Sequence, residues 1–220
     1  MRGEERGADR ATGEGVDASE VLCQWMAHVL NNPIPVPGSA FVRNAAAAIP
    51  ELFAMENDDS PAIAHLRRFL DDAGAAEHLE TMQQKLAVDR TALFRGVSET
   101  GVRPPYEEFY RSKGEGTMSD MNRLMREAAV APSESNHERV DYLGNELALA
   151  AYLYRQARTA AAAGDRERAE TLADRLMHGH LACWAPRYCD AALPYAQTEF
   201  FRGFLMAMGE FFEEMAREGE

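Results

Sequence analysis

The sequence predicts an all-α protein, a compact multi-helix bundle that contains no β-sheet. Three observations support this fold class. Apolar residues recur at spacings of three and four along the second half of the chain, as they do on one face of a helix. The segment 200–215 is apolar around most of its helical circumference, which is typical of a helix enclosed by others. No β-branched or aromatic run alternates with polar residues as a strand requires.

The N-terminal lobe, residues 18–131, is predicted to contain several shorter helices. Ser19 is a candidate N-cap for the first of them, because its hydroxyl precedes a run of apolar residues at helical spacing. Another helix is predicted to restart at Ser60 and Pro61. A further helix is predicted over 75–95, and Ser119 is a candidate N-cap for the last one in this lobe.

The C-terminal lobe, residues 132–216, has the stronger helical pattern. Its core is predicted to consist of helices over 133–163, 165–182 and 190–215, the first two joined by a short connection. Both lobes together form a single all-helical domain over 18–220. The preceding residues, up to position 17, are polar, charged and rich in glycine, and we predict a disordered tail over 1–17.

Composition and charge restrict the partners and the compartment. The formal net charge of -13 disfavours nucleic acid and anionic membranes, because both would be repelled, and suits a basic partner segment. Three widely spaced cysteines do not make a disulfide framework. No apolar run approaches the ~18 residues of a membrane span, and the tail lacks the apolar region of a signal peptide. We therefore predict a cytoplasmic protein that binds no nucleic acid and does not insert into membranes.

The segment 178–189 (HGHLACWAPRYC) contains two His and two Cys, which are zinc-ligand types. A metal site there remains an alternative, but residues two apart point to different faces of a helix, and no second pair of ligands follows elsewhere. The preferred interpretation is that a helix ends at a buried Trp184 and that the chain turns a corner at Pro186.

The chain offers few groups for catalysis. It has no glycine-rich phosphate loop, no nucleophile elbow and no paired-histidine zinc motif. The acidic residues Glu134, Glu138, Asp141 and Glu146 are predicted to form a solvated first turn of the long helix, favoured by the helix dipole. Methionine occurs 11 times, which suits either a core or a groove that accepts variable peptides. We predict a protein that is not an enzyme and holds no metal or cofactor.

Three blocks of sequence resemble the TorD/DmsD family of cytoplasmic chaperones. They are 141–147 (DYLGNEL), 180–189 (HLACWAPRYC) and 198–203 (TEFFRG), and their order and spacing agree with the family's pattern. The segment 105–110 (PYEEFY) also resembles the family. One departure is Tyr142, which stands where the family usually has histidine, so a titrating role at this position is in question.

The resemblance implies an all-helical chaperone that matures molybdenum-containing oxidoreductases exported by the twin-arginine route. Such a protein binds the signal peptide and the apo-form of the catalytic subunit until the molybdopterin cofactor is inserted, and thereby prevents premature export. Members of this family also exchange helices between protomers, which implies a homodimer as a further state. Twin-arginine signal peptides are basic at one end and apolar beyond it, so acidic and aromatic residues would match them.

The resemblance places the peptide-binding site at the matching residues. Asp141 and Glu146 are the candidates for the basic end of the peptide. The other candidates, for the apolar part and the corner beside it, are Tyr106, Tyr142, His180, Trp184 and Pro186. Two rival functions stand beside this one. The first is an assembly factor of the NarJ type, which serves a reductase subunit that is not exported, and the second is a metal-binding helical enzyme.

Overall fold

The computed structural model describes residues 17–32, 60–74, 79–96, 101–111, 117–131 and 137–218. Within these ranges the chain is helical, and its extended segments form one isolated antiparallel bridge and no sheet. The helices are α1 (Ala18–Asn31), α2 (Pro61–Gly74), α3 (Leu79–Arg95), α4 (Glu107–Tyr110), α5 (Thr117–Glu127), α6 (Leu143–Thr159), α7 (Ala163–Leu176), α8 (Ala182–Ala192) and α9 (Glu199–Glu218). The predicted all-α class is confirmed.

Two predicted helix caps are wrong. The N-cap of α1 is Asp17, whose carboxylate accepts the backbone N–H of Ser19 at 2.8 Å. A carboxylate two residues earlier meets the free N–H groups of the first turn better than the hydroxyl that was predicted to do so. Helix α5 begins at Thr117, so Ser119 lies within it. Of the predicted tail, residues 1–16 lie outside the described residues.

Helix α1 packs along α6, and a buried charge strengthens this contact. Glu20, in the first turn of α1, is buried and accepts hydrogen bonds from Arg155 at 2.8 Å and from Arg158 at 3.0 Å. These two guanidinium groups lower the pKa of the Glu20 carboxyl, while its burial acts in the opposite direction. The pairs fix the register of α1 on α6, whose other end carries the candidate site.

Helix α9 is enclosed by neighbouring helices, as its apolar circumference predicted. Its phenylalanines meet aromatic rings from α1, α2 and α3 at centroid distances of 5.1 to 6.5 Å, mostly edge to face. Gly203 lets α2 come close, since a Cβ there would lie 2.8 Å from the Ala62 carbonyl oxygen. We call the cluster of buried aromatic rings around α9 the aromatic core; its members are Trp25, Phe69, Phe94, Phe200, Phe201 and Phe204.

The segment between α8 and α9 is tied to α3. The buried carboxylate of Asp89 accepts the backbone N–H groups of Gln197 and Thr198, the latter at 2.8 Å, and the Thr198 hydroxyl at 2.6 Å. These bonds satisfy donors at the start of α9. They explain why the helix predicted from residue 190 begins only at Glu199.

The predicted corner at Pro186 is wrong. From α7 the chain continues through a π-helical turn, Met177–Leu181, directly into α8, and Pro186 lies inside that helix. Proline lacks an N–H, and its ring crowds the carbonyl of the residue four positions earlier. Here that carbonyl belongs to Ala182, the first residue of α8. The preceding π turn has already altered the hydrogen-bond register there, so Pro186 disturbs only the start of the helix.

The long helix predicted over 133–163 is also wrong in its first third. Helix α6 begins at Leu143, and residues 137–142 form bends and an extended strand-like segment. Residues 133–136 lie outside the described residues. The helical spacing that begins at Val140 is overridden by tertiary hydrogen bonds from a neighbouring segment, described below. The apolar face predicted for 165–182 is confirmed, because Ala169, Leu172 and the residues continuing that face are buried.

Candidate functional site

The site is organised by two short extended stretches, one before α4 and one before α6, which pair with each other. The backbone N–H of Glu107 donates to the Asp141 carbonyl at 3.0 Å, and the N–H of Leu143 donates to the Pro105 carbonyl at 2.9 Å. These bonds are the antiparallel bridge of the structure. Since they use backbone groups that a helix would use internally, they prevent α6 from starting earlier.

Three carboxylates lie beneath this pairing, and all three side chains are 0% exposed. We call Glu107, Asp141 and Glu146 the carboxylate cluster. Asp141 and Glu146 were predicted to be solvated, and that prediction is wrong. A buried carboxylate is costly unless it is paired or protonated, so the partners of each one determine what the site can do.

Glu107 is held by two cationic or potentially cationic side chains. His180 Nδ1 lies 2.9 and 3.0 Å from the two carboxylate oxygens. Arg111, one turn further along, donates to the same carboxylate and also to the Gly179 carbonyl at 2.7 Å. His180 and Gly179 both belong to the π-helical turn between α7 and α8. Glu107 therefore anchors the short helix α4 to that turn.

Asp141 is held by a bidentate pair with Arg139. The Nε–Oδ1 distance is 2.9 Å and the Nη2–Oδ2 distance is 2.8 Å. The same guanidinium donates to Glu108 and lies 5.1 Å from the centroid of the Tyr106 ring. Burial raises the pKa of Asp141, and the charge of Arg139 partly opposes that shift. The Arg139 side chain thus links a buried carboxylate to a surface one.

Glu146 has the weakest partner of the three. The Trp184 indole N–H donates to its Oε2 at 3.2 Å, while its Oε1 is buried with no hydrogen-bond partner among the described residues. Burial, together with the charges of Glu107 and Asp141, raises the pKa of Glu146 well above its usual range. The protonated form of this carboxyl is therefore favoured.

Tyrosines close the site on both sides. Tyr142, in the place of the family's usual histidine, donates its hydroxyl to the Leu30 carbonyl at 3.1 Å, and burial raises its pKa. Tyr142 therefore keeps a hydrogen bond at this position but does not titrate near neutral pH as histidine would. Tyr106 packs on it at 5.4 Å between centroids and has its pKa raised to about 12 by burial and by Glu138. Tyr110 stacks on Trp184 at 6.1 Å.

The structure brings most of the predicted site residues into this one region. Five of them are buried: Asp141, Tyr142, Glu146, His180 and Trp184. The remaining two, Tyr106 and Pro186, are half-buried, and Pro186 lies two residues beyond Trp184 in α8. The accessible surface over the cluster is instead contributed by Glu108, with 57% of its side chain exposed, and by Phe109, 39% exposed.

Sequence reasoning missed three residues that hold the cluster together. These are Glu107, Arg111 and Arg139. The spacing of Glu107 and Arg111 by four residues on α4 was a signal for one pair. Contacts such as that of Glu107 with His180, 73 residues away, leave no local signal in a single sequence.

An apolar groove of about 350 Å³ opens beside the site, between α5, α6 and the segment before α6. Two of its polar residues are bonded to the neighbouring site: Glu138 accepts the Tyr106 hydroxyl, and Asn145 donates to the Arg139 carbonyl. We call it the methionine groove; it is lined by Met121, Met125, Ala129, Val130, Ala131, Glu138, Val140, Asn145, Ala148, Leu149 and Tyr152. Two methionines thus border a groove, and that this groove accepts variable peptides stays a prediction.

The described part of the chain shows neither a metal-ligand cluster nor a helix suited to span a membrane. No group of three or more His, Cys, Asp or Glu residues in it is arranged to hold a metal ion. In the segment 178–189, which contains zinc-ligand residue types, His178 and Cys183 are exposed, whereas Cys189 is buried. None of the described helices has the length and apolar character to cross a membrane.

The described part of the chain is helical, with buried carboxylates hydrogen-bonded to neighbouring side chains and an open apolar groove beside them. The sequence matches the family described as nitrate reductase delta subunit over residues 54–190, which is more than half of the chain. The chain belongs to this family. No curated protein matches it. The family comprises NarJ- and TorD-type chaperones of redox-enzyme maturation, not catalysts, so the predicted family is confirmed.

Proposed function

We propose that this protein is a molecular chaperone for a molybdopterin-containing oxidoreductase. It binds the signal peptide and the apo-form of the catalytic subunit in the cytoplasm until the cofactor is inserted, and so prevents premature export. The observation that carries the proposal is the family match, which spans every member of the carboxylate cluster. The family's interaction with molybdoenzyme subunits supports it further.

The acidic residues at this face suit the basic end of such a peptide. Glu108 is the accessible carboxylate, and an arginine of the peptide can share it with Arg139 through charge-assisted hydrogen bonds. Asp141 is assigned a positioning role, since its bidentate pair sets the orientation of Arg139. Glu146 supports Trp184 in the same indirect way.

The aromatic residues at this face suit apolar side chains that lie next to the arginines of the peptide. Phe109 is exposed at the surface, with the Arg103 guanidinium 5.5 Å from its ring centroid and Tyr106 at 5.8 Å. Tyr142 and Trp184 lie beneath this surface and keep it in shape. A peptide would therefore meet Tyr106 and Phe109 directly and the buried aromatics only through them.

Recovery of the client from native cells tests the proposal. The tagged protein should retain the catalytic subunit of a molybdenum oxidoreductase without its cofactor. More of this complex should accumulate in cells that cannot make molybdopterin, because release follows cofactor insertion. Absence of any molybdenum oxidoreductase, or recovery of the cofactor-loaded form alone, would contradict the proposal.

A Glu108→Gln variant tests the acidic surface. It should bind the client's N-terminal peptide several-fold more weakly at low salt, and the difference from wild type should shrink as salt screens the lost charge. Glu214→Gln is a matched control, because Glu214 is similarly exposed but lies in the last turns of α9. Equal affinity of the Glu108 variant and wild type would remove Glu108 from the site.

The second candidate is an assembly factor of the NarJ type for a reductase subunit that is not exported. The description of the matched family, nitrate reductase delta subunit, favours it. Replacing paired arginines by lysines in the client peptide distinguishes the two. Loss of bidentate hydrogen bonds should weaken binding of an export signal, whereas a segment without an arginine pair has nothing to lose.

A further inference from the structure

We infer that the methionine groove is the binding site for the apolar run of the client's N-terminal segment, with the basic residues of that segment placed toward Glu138. This inference rests on the proposed function and adds to it a location, a ligand chemistry and an orientation. It is carried by the lining of the groove, the backbone at its rim, the charge at one end and the net charge of the chain.

The lining of the groove is apolar and adaptable. Met121 and Met125 lie one turn apart on α5 and face Leu149 and Tyr152 on α6. Methionine side chains are flexible and polarizable, so they accommodate side chains of different shape. The volume of about 350 Å³ lies at the lower end of the ~300–1,000 Å³ typical of binding pockets. The groove therefore holds a few apolar side chains from one face of a peptide.

The rim of the groove contains an unusual backbone conformation. Ala129 has a φ of 55°, the left-handed region that glycine normally occupies at a helix end. The N–H of Val130 donates to the Met125 carbonyl at 2.9 Å and closes the end of α5 around it. An alanine in this conformation carries a backbone cost and adds a methyl group to the groove wall. Such strain is often retained where the surface is used for binding.

One end of the groove adjoins the acidic region. Glu138 lines the groove and also accepts hydrogen bonds from Tyr106 and Arg95. Asn145 lines it too and donates to the Arg139 carbonyl at 2.8 Å. Glu138 is the carboxylate of the groove lining, and Glu108, on the Arg139 guanidinium, is the exposed carboxylate nearby. A basic group next to the apolar run would therefore be attracted to this end.

The same charges argue against other occupants. A net charge of -13 repels anionic lipid surfaces and nucleic acid. A second copy of this chain carries the same charge and would bring its own acidic residues to the acidic end. An apolar segment flanked by arginines matches both the lining and the charge.

A binding measurement with a synthetic peptide tests the inference. The probe has two adjacent arginines followed by about twelve leucine and alanine residues, a length typical of the apolar region of signal peptides. Tyr152→Asp introduces a charge into the groove at a residue that is 36% exposed, so the fold should be retained. We expect at least tenfold weaker binding than for wild type. Tyr195→Asp is the matched control, because Tyr195 is 46% exposed and lies outside the groove lining.

A second groove variant keeps the inference testable if Tyr152→Asp fails to fold. Ala148 is exposed on α6 and lines the groove, and Ala148→Asp should also weaken binding tenfold or more. A peptide with serines in place of the apolar run should bind wild type no better than it binds Tyr152→Asp. Wild-type affinity in both groove variants would overturn the inference and leave the proposed function standing. Failure of wild type itself to bind the peptide would contradict both.

Discussion

The aromatic core around α9 and the carboxylate cluster beside α6 are buried to the same degree, but they are stabilised by different forces. In the aromatic core, neutral rings meet at 5.1 to 6.5 Å, and the stabilisation comes from apolar burial and ring geometry. In the carboxylate cluster, each acidic group depends on a named partner, such as Arg139 for Asp141 or Trp184 for Glu146.

This difference predicts different responses to solution conditions. Contacts between neutral rings carry no titrating group, so their contribution should not change with pH. The cluster contains ionisable groups in surroundings that disfavour charge, and its contribution should vary with pH. Of these two regions, the carboxylate cluster is thus the one whose contribution to stability responds to protonation.

The largest expected effect lies in the aromatic core. Phe204→Ala should lower the free energy of unfolding by about 3–5 kcal/mol, because Phe204 is fully buried and its removal leaves a cavity. Urea denaturation at pH 5 and pH 8 measures the change. The loss relative to wild type should be the same at both pH values. A marked dependence on pH would show that the two regions are coupled.

The largest expected effect in the carboxylate cluster comes from Arg139→Ala. It leaves Asp141 buried without its cation and should cost about 3 kcal/mol at pH 7. The loss should shrink toward pH 4, because a protonated Asp141 leaves no buried charge. Arg217→Ala is the control, since it removes an exposed pair with Glu214 that is worth at most about 1 kcal/mol. Equal losses in the free energy of unfolding for both variants would mean that the buried pair contributes no more to stability than an exposed one.

Gly203→Ala tests how closely α2 and α9 are packed in the aromatic region. The added Cβ would lie 2.8 Å from the Ala62 carbonyl oxygen and 2.7 Å from Leu66, so the helices must move apart at a cost of about 1–3 kcal/mol. In the control Gly164→Ala, nothing lies within 4 Å of the new methyl group. That variant should be as stable as wild type or up to about 1 kcal/mol more stable, because alanine favours helix. Thermal unfolding would distinguish the two variants.

The smallest effect, and the most specific for the cluster, is expected for Glu146→Gln. In the folded protein this carboxyl keeps its proton above the ordinary pKa of about 4.3, at which the unfolded chain loses it. Rising pH therefore destabilises wild type between that value and the folded pKa, and the glutamine variant escapes this loss. At pH 6 we expect the variant to be about 1 kcal/mol more stable, after the cost of its unpaired amide N–H.

Unfolding curves of wild type and Glu146→Gln between pH 4 and pH 7 measure this difference. The gain should be lost toward pH 4, where the carboxyl is protonated in both the folded and unfolded states and only the cost of the unpaired amide N–H remains. Glu214→Gln, at an exposed position, should show no such trend. A stability difference that is constant with pH would contradict the assignment of a protonated Glu146.

Local pattern predicted the parts of the fold that periodicity controls. The apolar circumference of 200–215 predicted that α9 would be enclosed, and the apolar face of 165–182 was found buried. The resemblance of three short blocks identified the family, and it named site residues most of which lie in one region of the structure. These features follow from spacing along the chain, which a single sequence records.

The tertiary structure decided what spacing cannot record. The helix predicted from residue 133 begins only at Leu143, because the backbone before it is hydrogen-bonded to Pro105 and Glu107, which lie far away in sequence. Asp141 and Glu146, which were expected in solvent, are buried, and they are bonded there to Arg139 and to Trp184 of α8 respectively. Burial and the choice of partners depend on which segments meet in space. The sequence therefore determined which faces of the helices are apolar and to which family the chain belongs. Packing determined which charges are buried and where the groove opens.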